Sequence, residues 1–416
     1  MTDLDARTLV RRFLILRVTR WLPTGLLVPV FVLFLVDRGL TLTEIGVVTA
    51  AQGVAVMLLE LPTGGLADAV GRRRVLLGAS LFNLLALILI LFSHTFEWFV
   101  VAFALDGTYR ALESGPLEAW YVDGIHVHEP DADVEKGLSH AGVAMGLALG
   151  TGSLLGGAIV ALDPFPGIDA LAAPIVVAIA FRLVDTVAVY FLMSEIARPK
   201  GWGAFRRSVA EVPVIIKSAF GLVAGSASLA LLIGVEITWG LSSASWEDLF
   251  PVRLEEVLGD AAGAAAVMGP AAAGAWLASA AGSALTPRLT SRFGQYRAAA
   301  WLKLIQAGAV VAFGLIAGSV GLIAVYLMSY LVFGAWVPVH KALIHSHASS
   351  TNRTTVASLN SMAGMGAAAV GGILLGYVSD TSSVSAGMWV AGVIAALGAP
   401  LFLLAKRKLA SSPTDV

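Results

Sequence analysis

Asp106, Arg110 and Glu113 fall at i, i+4 and i+7 within the run Phe103-Ala104-Leu105-Asp106-Gly107-Thr108-Tyr109-Arg110-Ala111-Leu112-Glu113. On a helix they form one stripe. Two carboxylates flanking a guanidinium suit reversible proton binding, because a buried carboxylate changes its hold on a proton when a neighbouring cation moves. Asp106 is the first choice, being nearest the middle of the run and one turn from Arg110, and Glu113 is the second. Arg17 and Arg20 sit in an earlier apolar run, at depths matching Glu118 and Glu113 if the two runs are antiparallel.

Other polar residues are scattered through apolar sequence. Arg182 and Asp185 are spaced i, i+3 and read as a self-neutralising scaffold pair. Glu236 precedes Trp239 and suits a cation or a second proton, while Lys303 reads as shallow enough to snorkel. Tyr326, Tyr330 and Trp336, with Trp21 and Tyr109, read either as an aromatic wall of a substrate cavity or as ordinary packing.

The elements that hold these residues must lie in a bilayer. Of 416 residues 57% are hydrophobic and only 13% charged, against about 25% charged in soluble proteins. A spanning helix needs roughly 20 apolar residues. Twelve such runs are expected, near 13–36, 43–66, 75–93, 97–121, 138–162, 173–194, 218–240, 261–285, 298–317, 319–341, 355–378 and 385–405. They lack strand-like alternation, which argues against a barrel and leaves an all-α membrane protein. A charge at mid-membrane costs roughly 2.5–3.5 kcal/mol on the insertion scale, so the stripe in the fourth run must face a polar cavity or a partner.

Arg7, Arg11 and Arg12 lead into a stretch longer than a secretory signal core, so the first helix is expected to be retained. With the N-terminus in the cytoplasm, nearly all Lys and Arg fall on one side, from Arg72, Arg73 and Arg74 through Arg198 and Lys200 to Lys406, Arg407 and Lys408; only Arg38 and Arg253 fall on the other. The positive-inside rule then places both termini in the cytoplasm of a cell's inner membrane. Cysteine is absent, which excludes disulfides and thiol chemistry.

Three parts are expected: a six-helix bundle over 1–194, a cytoplasmic linker over 195–217 and a second six-helix bundle over 218–416. The linker carries Trp202, Phe205, Val209, Val212 and Ile216 at helical spacing, with Arg206, Arg207 and Lys217, as an interfacial amphipathic helix would; a plain solvated linker is the alternative. The halves echo each other. Leu66-Ala67-Asp68-Ala69-Val70-Gly71-Arg72-Arg73-Arg74 aligns with Leu289-Thr290-Ser291-Arg292-Phe293-Gly294-Gln295-Tyr296-Arg297, and Gly152-Ser153-Leu154-Leu155-Gly156-Gly157 with Ala367-Ala368-Ala369-Val370-Gly371-Gly372. Duplicated six-helix halves are the build of alternating-access carriers.

The connection between the second and third runs, with Gly64, Gly65, Asp68, Gly71, Arg72, Arg73 and Arg74, resembles the signature of the major facilitator superfamily, and the resemblance covers essentially the whole chain. It implies twelve helices in two pseudo-symmetric bundles. It also implies that Asp68 acts as a conformational gate against the eleventh helix, whose start carries the capping candidates Thr351, Asn352 and Thr354; bare topology, with glycines for the turn and arginines as anchors, is the plainer reading. Because the first and fourth helices line the cavity in that architecture, Arg20 is expected to pair with Glu113 and Arg17 with Glu118, in proton coupling or as static braces. Gly152, Gly156 and Gly157 are similar to the antiporter motif of drug:proton exchangers, although Ser153 replaces its proline and Phe103 stands where those exporters carry arginine; close helix packing is the alternative.

The resemblance implies a proton-coupled exporter of hydrophobic or amphiphilic molecules, working as a monomer. An importer using the same carboxylates, or a non-transporting sensor on this fold, are the alternatives. Residues expected around the substrate are Arg20, Trp21, Tyr109, Glu236, Trp239, Tyr326, Tyr330 and Trp336. The chain shows no phosphate-binding Gly-Lys-Ser/Thr loop and no hydrolytic triad, and His126-Val127-His128 and His345-Ser346-His347 lack carboxylate co-ligands. No enzyme activity, metal, cofactor or nucleic-acid partner is expected; the partners are a small molecule, protons and the bilayer.

Overall fold

A computed structural model describes residues 5–128, 133–195, 201–348 and 352–411. Its first part contains α1 (Ala6–Leu27), α2 (Phe31–Asp37), α3 (Leu42–Val70), α4 (Arg72–Phe92), α5 (Phe96–Glu113), α6 (Pro116–His128), α7 (Glu135–Leu162) and α8 (Ala173–Leu192). After α9 (Trp202–Gly225) come α10 (Ala227–Glu247), α11 (Leu249–Leu258), α12 (Ala261–Phe293), α13 (Gln295–Leu315) and α14 (Ser319–Ser346). The chain closes with α15 (Arg353–Thr381), α16 (Val384–Ala396) and α17 (Gly398–Ser411).

Eleven helical stretches among the described residues are long and apolar enough to cross a membrane. The twelfth span is the fourth in order, α5 running on into α6. Glu97, Asp106, Arg110 and Glu113 within the 18 residues of α5 make it too polar to be recognised on composition alone. Side chains such as Leu58, Phe92, Phe191 and Leu277 remain exposed, as lipid-facing surfaces require.

Several edges differ from the sequence expectation. α9 runs from Trp202 to Gly225, past the expected end of the linker, and the seventh span starts nine residues later than expected, at Ala227. Ser226 sets that start by accepting a hydrogen bond from Leu229 N at 3.3 Å. Residues 240–260, rich in polar side chains, are helical in α10 and α11 rather than a loop. Their serines return protons to carbonyls one turn back, as Ser242 does to Thr238 O at 2.9 Å.

The chain divides into two compact units, residues 1–34, 54–212 and 265–273, and residues 35–53, 213–264 and 274–416. In the first, α1 crosses α7 at backbone contact: a Cβ on Gly25 would lie 2.6 Å from Leu149 O, and one on Gly152 2.6 Å from Leu22 O. The Ser153 hydroxyl donates to Gly25 O at 3.2 Å. In the second, α10 crosses α15 in the same manner, with a Cβ on Gly371 falling 2.6 Å from Leu241 Cα.

The internal repeat extends to single residues. Gly156 faces Leu26 and Pro29 of the first span, as its counterpart Gly371 faces Leu241 of the seventh. Gly157 abuts Gly269 of α12, and its counterpart Gly372 abuts Gly46 of α3. The three expected antiporter glycines therefore all sit at helix crossings, where small residues let backbones approach.

Candidate functional site

The residues that carry charge inside the first unit form one connected chain. Arg20, on α1 and 1% exposed, places Nη1 3.4 Å from Glu113 Oε2 on α5 and Nη2 3.2 Å from Asp185 Oδ2 on α8. It also donates to Ser80 Oγ on α4 at 3.1 Å. Asp185 accepts from Thr19 at 3.0 Å and from Arg182 Nη1 at 3.2 Å. Arg182 passes the chain on through Nε to Asn83 Oδ1 at 2.6 Å, and Asn83 Nδ2 donates to Asp106 Oδ1 at 2.6 Å. Asp106 ends the row against Arg110 Nε at 3.1 Å.

Exposure grades along this chain. Arg20, Arg182 and Asp185 are at most 1% exposed, Asp106 and Glu113 have 16% and 13% of their side chains open, and Arg110 has 44%. The inner part is neutralised by pairing and hydrogen bonding, the condition under which buried charge is tolerated. The outer end, Asp106 with Arg110, retains accessible side-chain surface.

Both expected pairs form, Arg20 with Glu113 and Arg17 with Glu118. Arg182 and Asp185 do pair, yet they are more than a self-neutralising scaffold couple: Asp185 joins Arg20, and Arg182 joins Asn83. Sequence reasoning missed Asn83, Ser80 and Thr19. An asparagine inside an otherwise apolar third span was the available signal, since a buried amide needs partners.

Arg20 and Tyr109 are placed within the bundle rather than on an open surface. Tyr109 is 5% exposed and lies under the Arg182 guanidinium, 4.7 Å from its ring centroid. Trp21 keeps part of its surface.

The second unit holds a smaller cluster. Lys303 on α13 was expected to snorkel, yet it is wholly buried. Its ammonium lies 4.0 Å from the Trp336 ring centroid and 4.9 Å from that of Trp239, and donates to Gln306 Oε1 at 3.1 Å. Rotation of the helix, rather than depth, decides this, because Lys303 points at α10 and α14. Glu236 on α10 lies 3.0 Å from His340 Nε2 on α14, and the His340 ring stacks on Trp336 at 4.9 Å. His340 and Gln306 were not foreseen.

Aromatic rings continue from there. Trp239 stacks on Phe333 at 4.7 Å, and Tyr326 contacts Tyr330 at 4.9 Å and Phe250 at 4.1 Å. Trp336 and Tyr326 are 2% exposed, whereas Glu236, Trp239 and Tyr330 are partly open. A cleft of about 320 Å³ opens elsewhere in this unit, among Leu222, Ser226, His347, Asn352 and Val356, and none of its lining residues belongs to the cluster.

The glycine and arginine connection is built differently from a loop. Gly65 and Asp68 belong to the last turns of α3, whose backbone is also helical at Gly64, and Gly71 alone breaks the helix, with φ +103°. Gly294, its counterpart, has φ +74°. Both conformations favour glycine.

Glu195, just beyond α8, caps α4 by accepting from Arg72 N at 3.2 Å and Arg73 N at 2.9 Å. A carboxylate at a helix N-terminus is favourable. Arg72 pairs with Asp123 at 2.7 Å, and Arg73 donates to Tyr190 O at 2.5 Å. Arg12 and Trp120 donate to Leu192 O and Ser194 O at 3.1 and 2.7 Å, so the end of α8 is satisfied by side chains from three other helices.

Of the expected caps on α15, Asn352 occupies the N-cap position without a side-chain hydrogen bond to the helix. Thr351 and the side chain of Thr354 lie outside the described residues, as do Arg198 and Lys200.

No curated protein matches the chain. Among solved structures, a bacterial homologue of the human lysosomal transporter Spinster, inward-facing and unoccupied, superimposes with a TM-score of 0.76 at 13% identity, covering 100% of both chains. The nucleoside transporter NupG gives 0.74 at 13% identity, covering 97% of this chain and 100% of its own. The human organic anion transporter MFSD10 gives 0.61 at 16% identity, covering 96% and 99%. At these identities the likeness concerns the fold. The family model described as Major Facilitator Superfamily matches residues 13–363, and the chain belongs to that superfamily of membrane transporters.

Proposed function

We propose that this carrier exports hydrophobic or amphiphilic small molecules across the cytoplasmic membrane in exchange for protons, with Asp106 as the proton-carrying group. The observation that most supports this reading is the position of Asp106. It is a partly open carboxylate near one end of the buried ionic chain, held by Asn83 and Arg110, while Glu113 stands at the other end beside Arg20. Protonation there removes the charge that holds Arg110 and weakens the acceptor for Asn83. Asn83 then shifts its hold on Arg182, whose other partner is Asp185, and Asp185 in turn sets Arg20 and Glu113. A proton taken at the accessible end is thereby coupled to the packing of α1, α4, α5 and α8. A conformational step needs such differential contacts.

The aromatic side chains Trp239, Phe333 and Tyr330 supply broad apolar contact for an amphiphile. The two halves, 1–194 and 218–416, are the moving parts in this reading, joined by the amphipathic linker at 195–217, with both termini in the cytoplasm and one chain as the working unit. Asp68 gates the inner side, while Gly71, Arg72, Arg73 and Arg74 fix the connection that presents it.

Everted membrane vesicles acidified inside test the direction. Addition of an exported amphiphile should dissipate the proton gradient only when the carrier is present. An importer responds to substrate on the other face, and a non-transporting protein gives no response on either.

A further inference from the structure

Four side chains around Lys303 have polar atoms whose hydrogen bonding is incomplete. Among the described residues, Gln306 Nε2, Trp336 Nε1, His340 Nδ1 and Asn360 Oδ1 are buried without a hydrogen-bond partner. The Lys303 ammonium has three N–H donors, and its hydrogen-bond acceptor is Gln306 Oε1. Buried polar atoms in native proteins are nearly always paired, so a concentration of orphans in one place points to a ligand or a bound water. The unmet demand is mainly for acceptors: the Gln306 amide, the Trp336 indole and Lys303 all have N–H to give.

The two indole faces of Trp239 and Trp336 have the form of a cation cage, and Lys303 already fills it, 4.9 and 4.0 Å from the two centroids. A cationic ligand would have to expel a tethered cation. An acceptor-bearing ligand instead finds an ammonium beside two unused donors. Glu236 is the opposing charge facing the cluster, and its carboxylate is occupied by His340 and by the Asn360 side chain. Glu236 and Trp239 retain partial exposure at the edge of the cluster.

We propose that this cluster binds the head group of the transported amphiphile and selects an anionic, acceptor-rich head such as a carboxylate over a quaternary ammonium. The assignment rests on the amphiphile-export reading and adds the head-group charge. Lys303 leaves the indole faces to meet the carboxylate, while Gln306 and the Trp336 indole N–H complete its coordination. The tail lies along the row of Trp239, Phe333 and Tyr330.

The test uses octanoate and octyltrimethylammonium, equal in chain length and opposite in charge, titrated into the whole protein in lipid nanodiscs. Binding is read from the tryptophan fluorescence that disappears in Trp336→Phe. Octanoate should bind at least tenfold more tightly than the ammonium. Lys303→Met should reverse the order, since it removes the ammonium and opens the cage beside Glu236, whereas Lys303→Arg should keep it and control for folding. Equal binding of the two heads, or a preference unchanged in Lys303→Met, overturns the head-group assignment alone. Failure of both compounds to bind or to be transported overturns the amphiphile reading with it.

Discussion

Arg20 and Asp185, 165 residues apart in sequence, meet at 3.2 Å with neither side chain more than 1% exposed. Their contact joins the first and sixth spans at the centre of the ionic chain that ends at Asp106. Breaking a buried pair by removing one partner leaves an uncompensated charge and typically costs about 3–5 kcal/mol, whereas replacing both partners with apolar groups is far milder. Asp185→Asn should therefore lower the melting temperature of the purified carrier strongly. The loss should be large because Asp185 also neutralises the buried Arg182 at 3.2 Å; a melting temperature unchanged from the wild type would remove Asp185 from the structural role given to it.

Arg20 and Glu113 are expected to be coupled in function as well. In transport assays, the double variant Arg20→Ala, Glu113→Ala should fall well short of the product of the two single losses, because each single change leaves the other charge exposed within the bundle. Independent effects would mean that Glu113 acts apart from the chain.

Gly71 and Asp68, where α3 ends, are open to separate tests. Gly71→Ala should destabilise the protein, since its φ is +103° and a Cβ would lie 2.5 Å from Glu195 Oε1. Glu195→Gln, which weakens the cap on α4, should lower thermal stability in the same direction and by less. Asp68→Asn should leave the melting temperature near that of the wild type and reduce transport. Full transport by Asp68→Asn would reduce the connection to a turn.

Much of this was legible in the sequence because bilayer solvation constrains it. The number of spans and the glycine echoes follow from hydrophobic runs and small-residue patterns, whereas the exchange of residues 35–53 and 265–273 between the two compact units does not. The Arg20–Glu113 and Arg17–Glu118 pairs followed from depth together with the resemblance, which implies that the first and fourth helices line one cavity. What depth could not give was rotation about each helix axis. Lys303 faces two indoles instead of the membrane surface, and Asp185 faces Arg20, because helix packing turns them inward. Neutral relays were also hidden: Asn83 and Gln306 carry no charge to attract notice, and only their neighbours reveal what they connect.

Asp380 provides a prediction at the other end of α3. Its carboxylate accepts from Leu42 N at 3.0 Å, Thr43 N at 2.8 Å and Thr43 Oγ1 at 2.5 Å, so α15 caps α3. Thr41 and Glu44 add a capping box, with Thr41 N donating to Glu44 at 2.9 Å and Glu44 N to Thr41 Oγ1 at 3.2 Å. Asp380→Ala should accelerate hydrogen exchange at residues 42 and 43 and spare the rest of α3. Unchanged exchange there would show that the local capping box suffices.

Asp106 as the proton carrier is open to one direct measurement. In vesicles or proteoliposomes, Asp106→Asn should lose accumulation driven by a pH gradient while retaining substrate exchange down its own gradient at constant pH, because the protonated state is mimicked and the pathway is left intact. Asp106→Asn that accumulates substrate with the same dependence on the pH gradient as the wild type would contradict the account.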